Sequence, residues 1–296
     1  MSQSMWHPRV VPFFAWIVLM LVVWLAVSAS LWLYVPLYAV QCLLVAGLLW
    51  RYRKQTPELN IKFHWLAVPT AVLVTVVWIA LGWLMTGEFA LRWQALWAGR
   101  PLGTFADLAA ANPGATPGAF TMQTPHDFEL MQQQWPAMFY VAVMLRLVGM
   151  AMIVPFFEEL FTRSLLLRAF HRAKPTMVGL VQVLEDMPLV GDWLLETRAS
   201  RRAAGKPFMW SLQLRTTPVG AITLFSVIAS TLVFTMNHTL RDYAACVFTG
   251  VTWCLLVWWT NRGDRKQGLG PVIWSHGLCN AMLLAYCVWT GDWQFL

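Results

Sequence analysis

The chain has 296 residues, 58% of them hydrophobic and only 12% charged, with a mean hydropathy of +0.56. A soluble globular domain carries about 25% charged residues, so this composition excludes an ordinary soluble enzyme and points to an all-α, polytopic transmembrane helix bundle. The formal net charge of +7 would suit a nucleic-acid binder, but most of the basic residues sit in loops between apolar segments, and no nucleic-acid partner is expected.

Seven spans follow in chain order. The first three, about 10–28, 31–50 and 64–86, form an N-terminal membrane region over 1–135. The apolar run from Val10 is too long for a cleavable signal peptide and lacks a small-residue cleavage site. Between spans two and three lie Arg51, Arg53, Lys54 and Lys62 against Glu58. Residues 87–135 form a long loop with net negative charge, including the turn-rich, low-complexity stretch Ala109 to Gly118.

Residues 136–296 hold the remaining spans: 136–158 (helical to about 171), 218–240, 243–261 and 271–290. Nine basic residues from Arg163 to Arg215 outnumber four acidic ones. Residues 172–216 make a second long loop, with an amphipathic helix expected near Gly179 and Trp193. Arg168, His171, Arg172 and Lys174 are expected to mark a helix end and reach toward lipid phosphates. Arg262, Arg265 and Lys266 add a third basic loop. The positive-inside rule then places the N-terminus and the basic loops in the cytoplasm and the C-terminus outside. Breaking span four at Pro155 would invert everything downstream and place two basic loops outside, which disfavours an eight-span chain.

Polar residues are concentrated on three of the apolar segments. Glu158-Glu159 and Arg163 lie on span four, Phe234 and His238 on span five, and His276 and Asn280 on span seven. A charge inside a membrane helix costs roughly 2.5–3.5 kcal/mol, so it requires a partner or a task. Glu159 and Arg163 stand four apart, one turn above each other, and are expected to pair. Glu158 lies about 100° around the helix and is left to face a cavity. There a raised pKa would let it act as a general base. His276 and Asn280 share a face, and His238 is offered from another helix. No serine or cysteine has a base at helical spacing, so water is the expected nucleophile. Two histidines and a glutamate could also hold zinc, although there is no H-E-x-x-H pair and Asn280 is a poor zinc ligand. Arg146, three turns before Glu158, is a further intramembrane cation expected to meet a carboxylate or lipid headgroups. The five cysteines lie in apolar segments without C-x-x-C spacing and read as buried structural thiols. A proton-linked transporter would favour repeated halves, and none is evident.

In this order the three clusters resemble the motifs E-E-x-x-x-R, F-x-x-x-H and H-x-x-x-N of the CAAX prenyl protease and bacteriocin-processing (CPBP or Abi) family of intramembrane proteases. The resemblance covers roughly 140–290. It implies a glutamate-dependent peptidase without metal or other cofactor, in which Glu158 and His238 activate water and His276 and Asn280 form the oxyanion site. Glu159, Arg163 and Phe234 would support them. The implied partners are the lipid bilayer and a membrane-anchored peptide or protein substrate. Arg146-x-x-Gly149, Pro155, Trp274-Ser-His276 and Gly291-Asp-Trp-Gln-Phe are similar to the CAAX-protease-like proteins that accompany bacterial exosortase sorting systems, which would add sorting components as partners and a bacterial inner membrane as location. The chain departs from the family in the long gap between Arg163 and Phe234 and in Trp253, a bulky residue expected to narrow the cavity. A non-catalytic scaffold, immunity factor or sorting partner of the same fold is the alternative reading. If span five began at Pro218, His238 and Glu158 would lie about 30 Å apart along the membrane normal. The motif reading therefore expects span five to begin nearer Phe225 and span four to carry Glu158 deeper.

Overall fold

A computed structural model describes residues 5–97, 99, 128–173 and 214–295. The low-complexity stretch 109–118 and the amphipathic segment near Gly179 and Trp193 lie outside the described residues. Among those described there are helices and turns and no strand. The helices are α1 (His7–Ala29), α2 (Tyr34–Tyr52), α3 (Ala67–Met85), α4 (Phe89–Trp97), α5 (Phe128–Gln134), α6 (Pro136–Ala169), α7 (Leu224–Met236), α8 (Tyr243–Asn261) and α9 (Gly270–Thr290). Six of them (α1, α2, α3, α6, α8 and α9) are long and apolar enough to cross a membrane. The chain is an all-α, multi-pass membrane protein.

The expected fifth span is the exception. Its helix covers 13 residues, Leu224–Met236, about 20 Å, against a hydrocarbon core of about 30 Å. Two local features set this length. Gly220 adopts φ +83°, a left-handed conformation that glycine tolerates, and turns the chain at Pro218–Ala221. Thr223 then closes a reciprocal capping box with Ser226, with bonds of 3.2 and 2.9 Å, and starts the helix. Span five thus begins within one residue of Phe225.

Span four is one continuous helix through Pro155. It contains two wider π-helical stretches, Val148–Ile153 and Leu160–Leu166, on either side of Val154–Glu159. Proline has no N–H to offer the carbonyl four residues back, here Ala151. The π stretch ending at Ile153 accommodates this mismatch without a break. Glu158 lies 11 residues before the end of α6 at Ala169, about 16 Å from that end along the helix axis.

Helix pairing fixes the rest. α9 packs along α3 and against the first π stretch of α6, α1 pairs with α2, and α7 with α8. α1 also packs on α6 through Phe13 stacked on Phe161 at 4.1 Å and Trp16 against Phe157 at 5.2 Å. α9 runs antiparallel to α6, with Gly277 at the crossing. A Cβ on Gly277 would lie 2.5 Å from the Ala151 carbonyl oxygen, so the close approach requires glycine.

Candidate active site

Glu159 lies at the centre of the site and is fully buried, as is Arg163. Arg163 Nε lies 3.3 Å from Glu159 Oε2, the pairing expected from their spacing. The guanidinium also donates to Thr162 Oγ1 at 2.7 Å and lies 4.8 Å from the Phe234 ring and 5.4 Å from the Trp253 ring. Its charge is thus met by one carboxylate and two aromatic faces.

His276 joins the two glutamates. Its Nδ1 is 2.9 Å from Glu159 Oε1, and its Nε2 is 3.7 Å from Glu158 Oε2. A carboxylate only accepts, so Nδ1 carries a proton and Glu159 fixes the tautomer and the ring plane. Nε2 then faces Glu158. The Glu158 side chain retains 16% exposure against none for Glu159, as the 100° offset between neighbouring helical positions requires. Trp253 covers the other side of His276, stacked at 4.2 Å and 30°, and its indole N–H donates to Ser275 Oγ at 3.2 Å.

His238 follows the last turn of α7. Its Nδ1 is 2.9 Å from the Phe234 carbonyl, which can only accept, so Nδ1 is protonated and Nε2 keeps its lone pair. Its ring lies 4.6 Å from Phe234 and 5.8 Å from Trp78. Ser230 Oγ donates to the Thr162 carbonyl at 2.9 Å, making those residues level. Phe234 is then level with Glu158, and His238 lies about one turn (~6 Å) beyond it. The two are no longer separated by a membrane thickness.

Asn280 sits one turn from His276 and donates through Nδ2 to the Met150 carbonyl at 2.8 Å, inside the first π stretch. Its second amide hydrogen is not used in that bond. The structure therefore brings together Glu158, Glu159, Arg163, Phe234 and His276, with His238 and Asn280 each about a turn away. Among the described residues Glu158 makes no hydrogen bond to His238, and no three His, Cys, Asp or Glu side chains are grouped to hold a metal ion.

Several features escaped the sequence reading. Arg168, expected to reach the headgroups, is buried, and its Nη2 lies 2.8 Å from Glu58. The same carboxylate takes Arg9 at 2.6 Å and is bonded by Ser164. Burial alone would raise the Glu58 pKa, but the Arg9 and Arg168 guanidiniums outweigh it and hold this carboxyl below its ordinary range. Arg92 joins Glu88 at 2.6 Å and Asp292 at 2.7 Å, fastening the C-terminal turn to α4. Of the ion pairs in these networks, sequence spacing signals only Glu88–Arg92. Arg146 has no carboxylate partner among the described residues; it donates to Met150 Sδ at 3.1 Å and lies 5.7 Å from the Tyr38 ring. All five cysteines are free and buried.

Fold and site together define a multi-pass membrane protein with a glutamate–histidine–arginine cluster buried among its helices. Compared with protein-family models, with curated proteins and with solved structures, the chain finds no match.

Proposed function

We propose that this chain is an intramembrane, glutamate-dependent endopeptidase of the CPBP type, acting on a membrane-anchored peptide or protein. The observation that carries the reading is the orientation of His276 between two unequal glutamates, one pinned by Arg163 and one free. Glu159 holds His276 much as the buried carboxylate of a catalytic triad holds its imidazole. Glu158 is left to take a proton from water, and His238 Nε2, with its lone pair free, can share that proton. Attack of the water on a peptide carbonyl places negative charge on its oxygen. His276 Nε2–H in the imidazolium form, and the spare N–H of Asn280, are the donors available to it. The proton held by Glu158 then passes to the leaving amine, and both products depart with Glu158 ionised again. In this reading the chain sits in a bacterial inner membrane with its basic loops cytoplasmic, and sorting components of the exosortase type are its partners.

One observation favours a second reading. A cavity of about 810 Å³ among the described residues is lined by none of Glu158, His238, His276 or Asn280, and Trp253 covers His276. A non-catalytic scaffold of the same fold would have this closed site. Incubating the purified, lipid-reconstituted protein with membrane-anchored peptides and analysing products by mass spectrometry separates the two. Endopeptidase products that persist after exhaustive chelation are expected. No cleavage of any peptide favours the scaffold. Cleavage lost to chelator and restored by zinc favours a metalloprotease.

A further inference from the structure

The about-810 Å³ cavity opens among three loops on the basic face, well within the size range of small-molecule sites. Its walls include Lys62, His171, Arg262 and Lys266, with Trp258 beside them. We infer that it is a binding site for a phosphate-bearing headgroup, a role independent of the peptidase reading.

The charge balance supports this. Among the described residues Glu58 is the only acidic one lining the cavity, and its carboxylate is already held by Arg9, Arg168 and Ser164. An anion entering the cavity meets cations whose charge is not cancelled: Lys62 and Lys266 form no ion pair among the described residues and are exposed. The imidazole Nδ1 of His171 is buried there without a hydrogen-bond partner.

The walls are also fixed in place. Asn261 bonds both the carbonyl and the N–H of Gly268, at 2.9 and 2.7 Å, closing the loop between α8 and α9. Gly268 and Lys266 adopt positive φ within it. Leu269 N–H bonds the Glu58 carbonyl at 2.9 Å, locking this loop to the one between α2 and α3. Gly220 packs against Asn261 so closely that a Cβ would meet it at 2.7 Å. Trp258, Trp259 and Trp274 stand at these helix ends, the composition of a membrane–water boundary. A phospholipid headgroup could enter from that boundary, and a free phosphate ester from the water.

The test uses native mass spectrometry and binding titration of the full chain in phosphatidylcholine nanodiscs containing phosphatidylglycerol, with glycerol phosphate as the soluble probe. Each lost cation should weaken binding about fivefold, so Lys62→Gln with Lys266→Gln should weaken it about 25-fold. Both side chains are exposed, and unchanged thermal unfolding checks that the variant folds. Arg265→Gln is the control: Arg265 is in the same loop but stacks on Trp259 at 5.2 Å and does not line the cavity. Its binding should stay within about twofold of the unaltered chain. Variant-sensitive binding of phosphatidylglycerol alone identifies a lipid headgroup, and the same dependence for glycerol phosphate identifies a soluble ester; both support the site. Equal losses in Arg265→Gln and the double variant, or no loss in the double variant, would overturn it and leave only a diffuse basic surface.

Discussion

At the scale of single residues, the site turns on two adjacent glutamates with opposite surroundings. Glu159 has no exposed surface and takes Arg163 and His276; Glu158 keeps some exposure and only the distant face of His276. The sequence already separates them, because one residue is 100° of helix and Arg163 lies four positions from only one of the two. It does not identify the residue that holds His276 from behind, since Trp253 belongs to another helix with no motif linking it to the histidine. The pair makes a direct prediction. Arg163→Leu leaves the buried Glu159 carboxylate facing His276 alone, and removing one partner of a buried pair costs about 3–5 kcal/mol. Glu159→Gln combined with Arg163→Gln should recover part of that. Thermal unfolding in detergent checks it, and equal melting temperatures for the single and double variants would argue against the pair as a structural unit.

At the scale of elements, α6 shows how far hydrophobic patterning reaches. The apolar run from Pro136 to Ala169 is legible as one helix, and Pro155 does not divide it. Its two π stretches are not legible, because they are changes of hydrogen-bond register rather than of side-chain polarity. Span five misleads for a related reason: the apolar residues Val219, Ala221 and Ile222 precede Leu224–Met236, while the turn at Gly220 and the cap at Thr223 decide where the helix starts. The crossing of α6 and α9 yields a prediction whose sign is informative. Glycine to alanine within a helix normally stabilises by about 1 kcal/mol. At Gly277 the new methyl would meet the Ala151 carbonyl, so Gly277→Ala should destabilise by about 1–3 kcal/mol and lower any activity by displacing His276. A Gly277→Ala protein that melts higher than the unaltered chain would mean the helices are not in close contact there.

For the whole molecule, the ends of the chain are fastened to the core by buried charge. Arg9, Glu58 and Arg168 join the start of α1, the loop before α3 and the end of α6. Arg92 and Asp292 do the same for the C-terminal turn. No local spacing announces these contacts, since Arg9 and Glu58 are 49 residues apart and Glu58 and Arg168 are 110 apart. The Glu58 carboxyl has a lowered pKa in the folded state. A lowered carboxylate pKa contributes stability that is fully present above the unfolded value, about 4.3. That stability is lost as pH falls from there through the lower folded value. Glu58→Gln should therefore lower the melting temperature at pH 7, and the gap between variant and unaltered chain should shrink below about pH 4.3. A gap independent of pH would show that the charge of Glu58 is not what matters.

The peptidase reading depends most on Glu158, whose replacement by glutamine keeps size and hydrogen bonding and removes the basic oxygen. The direct measurement is turnover of a cleaved membrane-anchored peptide by Glu158→Gln, purified and reconstituted beside the unaltered chain. A fall of about 10²-fold or more, the scale of general-base catalysis, with unchanged thermal unfolding, is the expected result. A Glu158→Gln protein that cleaves the peptide at the unaltered rate would contradict the mechanism.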